Sequence, residues 1–315
     1  MIENKEFDLI TIGESLIELS SNQTLKDSEC LHKFYGGDSI VTAIAASRLN
    51  SRVGFISCIG DDPFKEFLLS SWDNEIIDTT NVRVVDAPNG LYMVSRKSIN
   101  EKEFVYYRKK SASSQLSVED IKEDYIKKTK IVYASGVTQS LSLNAREAVK
   151  KAFQIAKGNN IITAYDPNFS RLISTPDDAK EYFEEIIPYT DILFMSAKND
   201  NILFDTNSIN NISKYLADIG ISVSVIKSST DSGYFISNKG NISFVKFYYE
   251  NVVDTTSSGD AFNGAFLHSI AQGCNPVEAA KIASIDAGLQ AQGIGAVKST
   301  PHYDEVYEIY KSEVI

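Results

Sequence analysis

Cysteine is scarce in this chain. The three thiols, Cys30, Cys58 and Cys274, are far apart and form no C-x-x-C pair. That spacing argues against a disulfide framework or a zinc site and fits the reduced thiols of a cytosolic, that is cytoplasmic, protein. Histidine is as scarce. His32, His268 and His302 share no metal-ligand spacing, so each is expected to pack or to sit at the surface. Positive charge is in deficit, with 31 Lys and Arg against 42 Asp and Glu and a net charge of -11. A nucleic-acid partner needs a basic face to displace counterions, and this balance argues against one. Long apolar runs are missing too, so no membrane span is expected. The opening residues, MIENKEFDLITIGE, set acids before a short apolar run, unlike a signal peptide. There is no repeat and no low-complexity linker. The two commonest phosphate loops, GxxxxGK followed by Ser or Thr, and GxGxxG, are also absent.

What the chain does contain is alternation. Its 315 residues exceed one minimal core. Apolar runs read as strands at 7–13, 52–60, 130–136, 160–168, 191–196 and 222–229. Their nearly continuous hydrophobicity means that both faces are covered, as in a parallel sheet. Helical patterns lie at 39–49, 63–74, 144–157, 177–187, 208–219, 261–272 and 276–290. The fold class is therefore α/β, a doubly wound sheet with ligands at the carboxyl edge of the strands. Several runs end there in small or polar residues: Ser135-Gly136, Asp166-Pro167-Asn168, Ser196 and Ser228-Ser229.

One segment departs from the alternation. LYMVSRKSINEKEFVYYRKK, 91–110, has two extended runs about a polar turn at Ser98–Lys102 and reads as a hairpin. The two-residue period puts Phe104, Tyr106 and Arg108 on one face and Val105 and Tyr107 on the other. The stretches 14–20 and 32–37 are expected to add strands to it, which makes a small protruding sheet or lid. A second hairpin, 233–247, turns at Asn238–Asn241.

The stretch DTTSSGDAFNGAF, 254–266, carries the chemistry. Ala261, Phe262, Ala265, Phe266 and Ile270 form an apolar stripe at helical spacing, and Gly273 ends the helix. Asp260 stands in its first turn after Ser257, Ser258 and Gly259. Residues that small leave the backbone amides open, and amides plus helix dipole bind an anion. Asp260 is then either a helix cap or a proton acceptor beside that anion site. Phosphoryl transfer needs both charge neutralisation and an aimed base.

DTTSSGD resembles the D-T-x-G-A-G-D signature of the ribokinase-like (PfkB) carbohydrate kinases. YGGDSIVTAIAASRL, 35–49, resembles their G-G-x-x-x-N signature. Within the family, TIGESLIELS, GLYMVSR, FVYYRKKSASSQL, YDPNFSRL and GIGAV are most similar to 2-keto-3-deoxygluconate kinases. The resemblance covers residues 1–315 as one ribokinase-like domain, with a lid from about 14–37 and 88–110. It implies that Asp260 is the base and that Ser257, Ser258 and Gly259 form the anion hole. It implies sugar binding by Gly36, Gly37, Tyr92, Tyr106, Arg108 and Arg171, and nucleotide binding by Lys227, Ser229 and Gly259. The family's Mg2+-organising Glu lies in N-x-x-E, here SAKN, so Asn199 or Asp200 would act through water. The signature Asn is Val41.

The reading implied is an ATP-dependent sugar kinase using ATP and Mg2+, with a monovalent cation as a further expectation. It would phosphorylate the terminal hydroxyl, on the sixth carbon, of a sugar acid such as 2-keto-3-deoxygluconate. Alternatives are a fructokinase, another kinase of the family, or a catalytically weak sugar-binding homologue. A homodimer through the lid is also expected, because its free edges and exposed aromatics invite pairing.

Overall fold

The apolar runs do form strands, and side-chain alternation along them builds two separate cores. The computed structural model describes residues 5–98, 101–204, 206–248 and 250–314. In chain order the strands open with β1 (Phe7–Ile12), β2 (Leu16–Ser21), β3 (His32–Gly36), β4 (Val53–Gly60), β5 (Ile77–Asp78) and β6 (Val82–Val85). They continue with β7 (Leu91–Ser98), β8 (Glu101–Tyr107), β9 (Thr129–Ser135) and β10 (Ile162–Asp166). The last four are β11 (Ile192–Ser196), β12 (Val223–Ser228), β13 (Gly233–Asn238) and β14 (Asn241–Lys246). The helices begin with α1 (Asp38–Arg48), α2 (Lys65–Asn74), α3 (Glu123–Ile126), α4 (Gly136–Gln139) and α5 (Leu143–Gly158). They end with α6 (Pro176–Ile186), α7 (Ile209–Asp218), α8 (Ser258–Ala271), α9 (Pro276–Gln290) and α10 (Tyr303–Val314).

The large sheet runs β14-β13-β12-β11-β10-β9-β1-β4-β5, with β6 beside the carboxyl half of β4. It is parallel from β12 to β5, and the hairpin β13–β14 adds the antiparallel edge. On β9, Ile131 and Tyr133 face one core while Val132 and Ala134 face the other. The first core is covered by α1, α2, α8, α9 and α10, the second by α3, α5, α6 and α7. This is the doubly wound arrangement that two-sided hydrophobicity demands. Phe262 and Phe266 of α8 are fully or almost fully buried in the first core. Each such side chain contributes about 1.5–3 kcal/mol by leaving water, which fixes α8 on the sheet. Val41 lies wholly inside the same core.

A second sheet, β3-β2-β7-β8, stands apart from the first. The hairpin β7–β8 pairs Tyr92 with Tyr106, Val94 with Phe104 and Arg96 with Lys102. As its alternation requires, Lys102, Phe104 and Tyr106 turn to the half-buried face, and Val105 and Tyr107 are exposed. Within the expected turn at Ser98–Lys102, Ile99 and Asn100 lie outside the described residues. Among the described residues no helix is long and apolar enough to cross a membrane.

Candidate active site

The carboxyl ends of β10, β11 and β12 open onto the start of α8. A cavity of about 230 Å³ forms there, lined by Asp166, Asn168, Asp200, Lys227, Gly259 and Asp260 among others. A larger cavity of about 600 Å³ lies beside it, and Lys227 borders both. Ser229, Thr255 and Ser258 line the second cavity together with Ser284 and Gly288 of α9 and with Ala291 just past its end.

Helix α8 starts three residues earlier than its apolar stripe does. Ser257, with φ 63°, takes a left-handed turn and brings residues 258–260 into the helix. No side chain caps this helix. The Ser258 amide and hydroxyl both donate to the Thr255 carbonyl, at 3.3 and 3.0 Å. Among the described residues the amides of Gly259 and Asp260 meet no backbone acceptor. Gly259 has no need of glycine for its own conformation, because its φ is ordinary and nothing lies within 4 Å of an added Cβ. The space above it is simply open. Open amides at a helix start attract an anion, by about 0.3–1 kcal/mol from the dipole alone.

The Asp260 carboxylate is not spent on capping. It borders the cavity, and Asn168 Nδ2 donates to its Oδ1 at 3.4 Å. Burial drives its pKa well above the usual carboxylate range. The negative charges of Asp38 and Asp166 add to that, while the Ser257 hydroxyl and Lys227 oppose it. Asp166 is raised to about 6 by burial, held down in part by Asn263, whose Nδ2 donates to it at 2.7 Å. Asp200 rises to about 7 by burial and the charge of Asp166. Its two oxygens accept the amides of Phe169 and Ser196, at 3.0 and 2.6 Å. Burial lowers the pKa of Lys227, and Asp260 and Asp166 counteract it. Among the described residues Lys227 forms no ion pair, and it borders both cavities, so it is available to a ligand. A proton acceptor, open amides and a free cation thus meet at one edge of two cavities.

A model of the pfkB family of carbohydrate kinases matches residues 6–302. The chain belongs to that family. It is a phosphotransferase that acts on a sugar hydroxyl, and ATP is the family's phosphoryl donor. A curated relative, the 5-dehydro-2-deoxygluconokinase of Clostridium perfringens, is 27% identical over 99% of this chain and 95% of its own length. A structure from E. coli assigned to ribokinase II, in complex with ATP and Mg2+, superposes with a TM-score of 0.90. It is 21% identical and covers 97% of this chain and 99% of that one. A fructokinase from Xylella fastidiosa with bound ATP gives 0.87 at 20% identity, covering 98% of this chain and 99% of that one. The expected kinship to 2-keto-3-deoxygluconate kinases thus holds at the level of the carbohydrate kinase family; the relative named here is a different sugar-acid kinase.

The remaining expected residues of this kinase are spread over three places. Tyr106 lines neither cavity, but the charges of Arg108, Glu14, Asp260 and Asp38 all bear on its hydroxyl. Arg108 is mostly buried and pairs with Glu14 at 2.9 Å, so it is no solvated turn end. Glu14 is raised to about 7 by burial against the pull of Arg108. Tyr92 is buried and gives its hydroxyl to Glu18 at 2.5 Å. Gly37, with φ +120°, turns the chain into α1 where an added Cβ would meet the Glu14 carbonyl at 2.7 Å. Gly36 packs under Tyr92 and Ala296. Arg171 is exposed and lines a neighbouring cavity of about 260 Å³ with Lys198 and Asn199, which shares Phe169 and Asn199 with the cavity at Asp260. Asp38, Asp166 and Glu14 were not singled out as site residues from the sequence. The polar strand end Asp166-Pro167-Asn168 was the signal that could have found one of them.

Proposed function

We propose that this kinase transfers the γ-phosphoryl of ATP to the terminal hydroxyl of a six-carbon deoxy-keto sugar acid. The observation that carries the reading is the meeting of Asp260 with the open amides of Gly259 and Asp260 on one cavity wall. The sugar would lie between that wall and the face of β8 that carries Phe104 and Tyr106, with Arg108 just past the strand's end. Asp260 takes the hydroxyl proton as the sugar oxygen bonds to phosphorus. The bond from phosphorus to the β-phosphate oxygen breaks, and ADP leaves. The α8 start and Lys227 hold the charge that spreads over the moving phosphoryl group. The larger cavity beside Lys227 and Ser229 takes the nucleoside end. The second sheet serves as a lid that keeps water, a competing acceptor, away.

Mg2+ fits the donor set. Asp166, Asp200 and Asp260 line one small cavity with Lys227, so three carboxyl groups face one ammonium there. Among the described residues no three such side chains converge to hold a metal alone. A Mg2+ carried by nucleotide phosphates needs only one or two protein oxygens, and our candidates are Asp166, with Asn199 or Asp200 acting through water. When bound, it would neutralise charge on the phosphates.

Arg108 is our choice for the substrate carboxylate, because a guanidinium grips a carboxylate with two aligned donors. The 5-dehydro-2-deoxygluconokinase relatives support a sugar acid, with 5-dehydro-2-deoxygluconate first and 2-keto-3-deoxygluconate second. One observation favours a neutral sugar instead: Glu14 already neutralises Arg108. An ADP-release assay with both acids, fructose and ribose decides between them. We expect the parent to prefer an acid, and Arg108→Ala to lose about 10- to 100-fold in kcat/KM on that acid alone. If parent and variant prefer the same neutral sugar, the sugar-acid reading fails.

A further inference from the structure

The second sheet does more than cover the cleft. On the inward row of β8, Lys102 stands two positions from Phe104 and four from Tyr106, and its ammonium reaches the turn that leads into α8. Lys102 Nζ donates to Asp254 Oδ1 at 2.6 Å. It also lies 3.4 Å from Thr255 Oγ1 and 3.3 Å from Thr256 Oγ1. Across the hairpin, Arg96 donates its Nε to the other oxygen of Asp254, its NH2 group to Glu18 at 2.8 Å and its NH1 group to Ser20. Arg96, Glu18 and Asp254 all have side chains at most 5% exposed. Asp254 in turn holds the amide and the hydroxyl of Thr256, at 3.0 and 2.7 Å. Gln290 of α9 fixes the Thr256 carbonyl at 2.9 Å. The next residue is Ser257 in its left-handed turn, and then come the open amides. Neither Lys102 nor Arg96 lines the two cavities.

We propose that Lys102, with Arg96, is a positioning residue: it ties the second sheet to Asp254 and Thr256 and so holds the amides of Gly259 and Asp260 on the phosphoryl group. A left-handed Ser costs about 1–2 kcal/mol relative to an ordinary conformation. The turn therefore needs outside support to stay in place, and buried, charge-assisted bonds from the second sheet provide it. Movement of that sheet and order at the anion site become one event. Phosphoryl transfer then waits for the sheet to close. This rests on the kinase reading above only for its effect on rate.

Two measurements on Lys102→Met and Lys102→Arg test it. The first is hydrogen exchange of the peptide spanning 254–261, which needs no turnover. Lys102→Met should speed exchange there by about tenfold or more, leave β1 and β9 unchanged, and be largely reversed in Lys102→Arg. The second is steady-state kinetics. Lys102→Met should lower kcat by about 10- to 100-fold, as a small misplacement of a catalytic site does. The KM for the sugar should move by less than about threefold. Lys102→Gln, which keeps a donor, takes the place of Met if the latter melts early. Unchanged exchange at 254–261, or a kcat within about twofold of the parent, overturns the proposal. If the parent phosphorylates no sugar of the panel, the proposed substrate falls, and the exchange result still decides the coupling.

Discussion

Gly259 is a glycine for what it leaves empty. Gly37 needs its glycine for a positive φ and a close backbone approach; Gly259 has neither constraint. Alanine in its place adds a Cβ in open space and, in a helix, gains up to about 1 kcal/mol. Gly259→Ala should therefore melt at or slightly above the parent's temperature. Its Cβ would occupy the room above the open amides, and kcat should drop by about 10- to 1,000-fold, the scale of a lost oxyanion-type contact. Thermal melts beside steady-state kinetics check both halves. Loss of stability together with activity would mean that Gly259 is a packing residue. The glycine's presence is legible in the sequence, but its reason is not. Small residues before Asp260 suggest open amides, whereas the missing cap and the left-handed Ser257 appear only in the folded chain. Serine enters that region rarely, so no local pattern announces it.

At the scale of the element, α9 carries an oddity that its sequence pattern hides. Asp286 is completely buried, and neither carboxylate oxygen has a hydrogen-bond partner among the described residues. Burial pushes its pKa well above the usual carboxylate range, with Arg48 pulling down and Glu305 adding to the rise. The folded protein keeps a proton that the unfolded chain releases at about pH 4. Stability is thus full below that pH and is lost as pH climbs toward the folded-state pKa. Asp286→Asn removes this dependence. Its Tm relative to the parent should be nearly unchanged at about pH 4 and higher at about pH 8, by roughly 2–4 °C for each kcal/mol recovered. Melting curves at the two pH values read it out, and a difference that does not change with pH would refute it. Elements differ in how plainly they announce themselves. The strands at 7–13, 52–60 and 191–196 were legible to within a residue or two because both faces of each are buried. The two-residue β5 was not, being too short to show a period. Helix α10 has acids and tyrosines where a core helix has a clean apolar stripe, and it too escaped notice.

Over the whole molecule, the chain's alternation foretold the doubly wound sheet and the second sheet beside it. It could not foretell which loops meet. Glu14, Asp38, Asp166 and Asp260 come from four segments, and no spacing along the chain relates them; the crossover order of β1, β9 and β10 does. Burial raises the pKa of each, and neighbouring carboxylates add to the rise at Glu14, Asp166 and Asp260; a gathering of buried carboxylates suits a site that receives a metal-bound nucleotide. Lys102 on β8 and Arg108 just past its end pair with Asp254 and Glu14, so the second sheet grips the large domain at two points. At this scale catalysis depends on the movement of one proton to Asp260. The direct measurement is kcat of Asp260→Asn on the best sugar of the panel, with ATP binding measured alongside. We predict a fall of about 100- to 10,000-fold, the worth of an aimed general base, with the Kd for ATP unchanged within about threefold. A variant that still turns over within about tenfold of the parent would contradict the account.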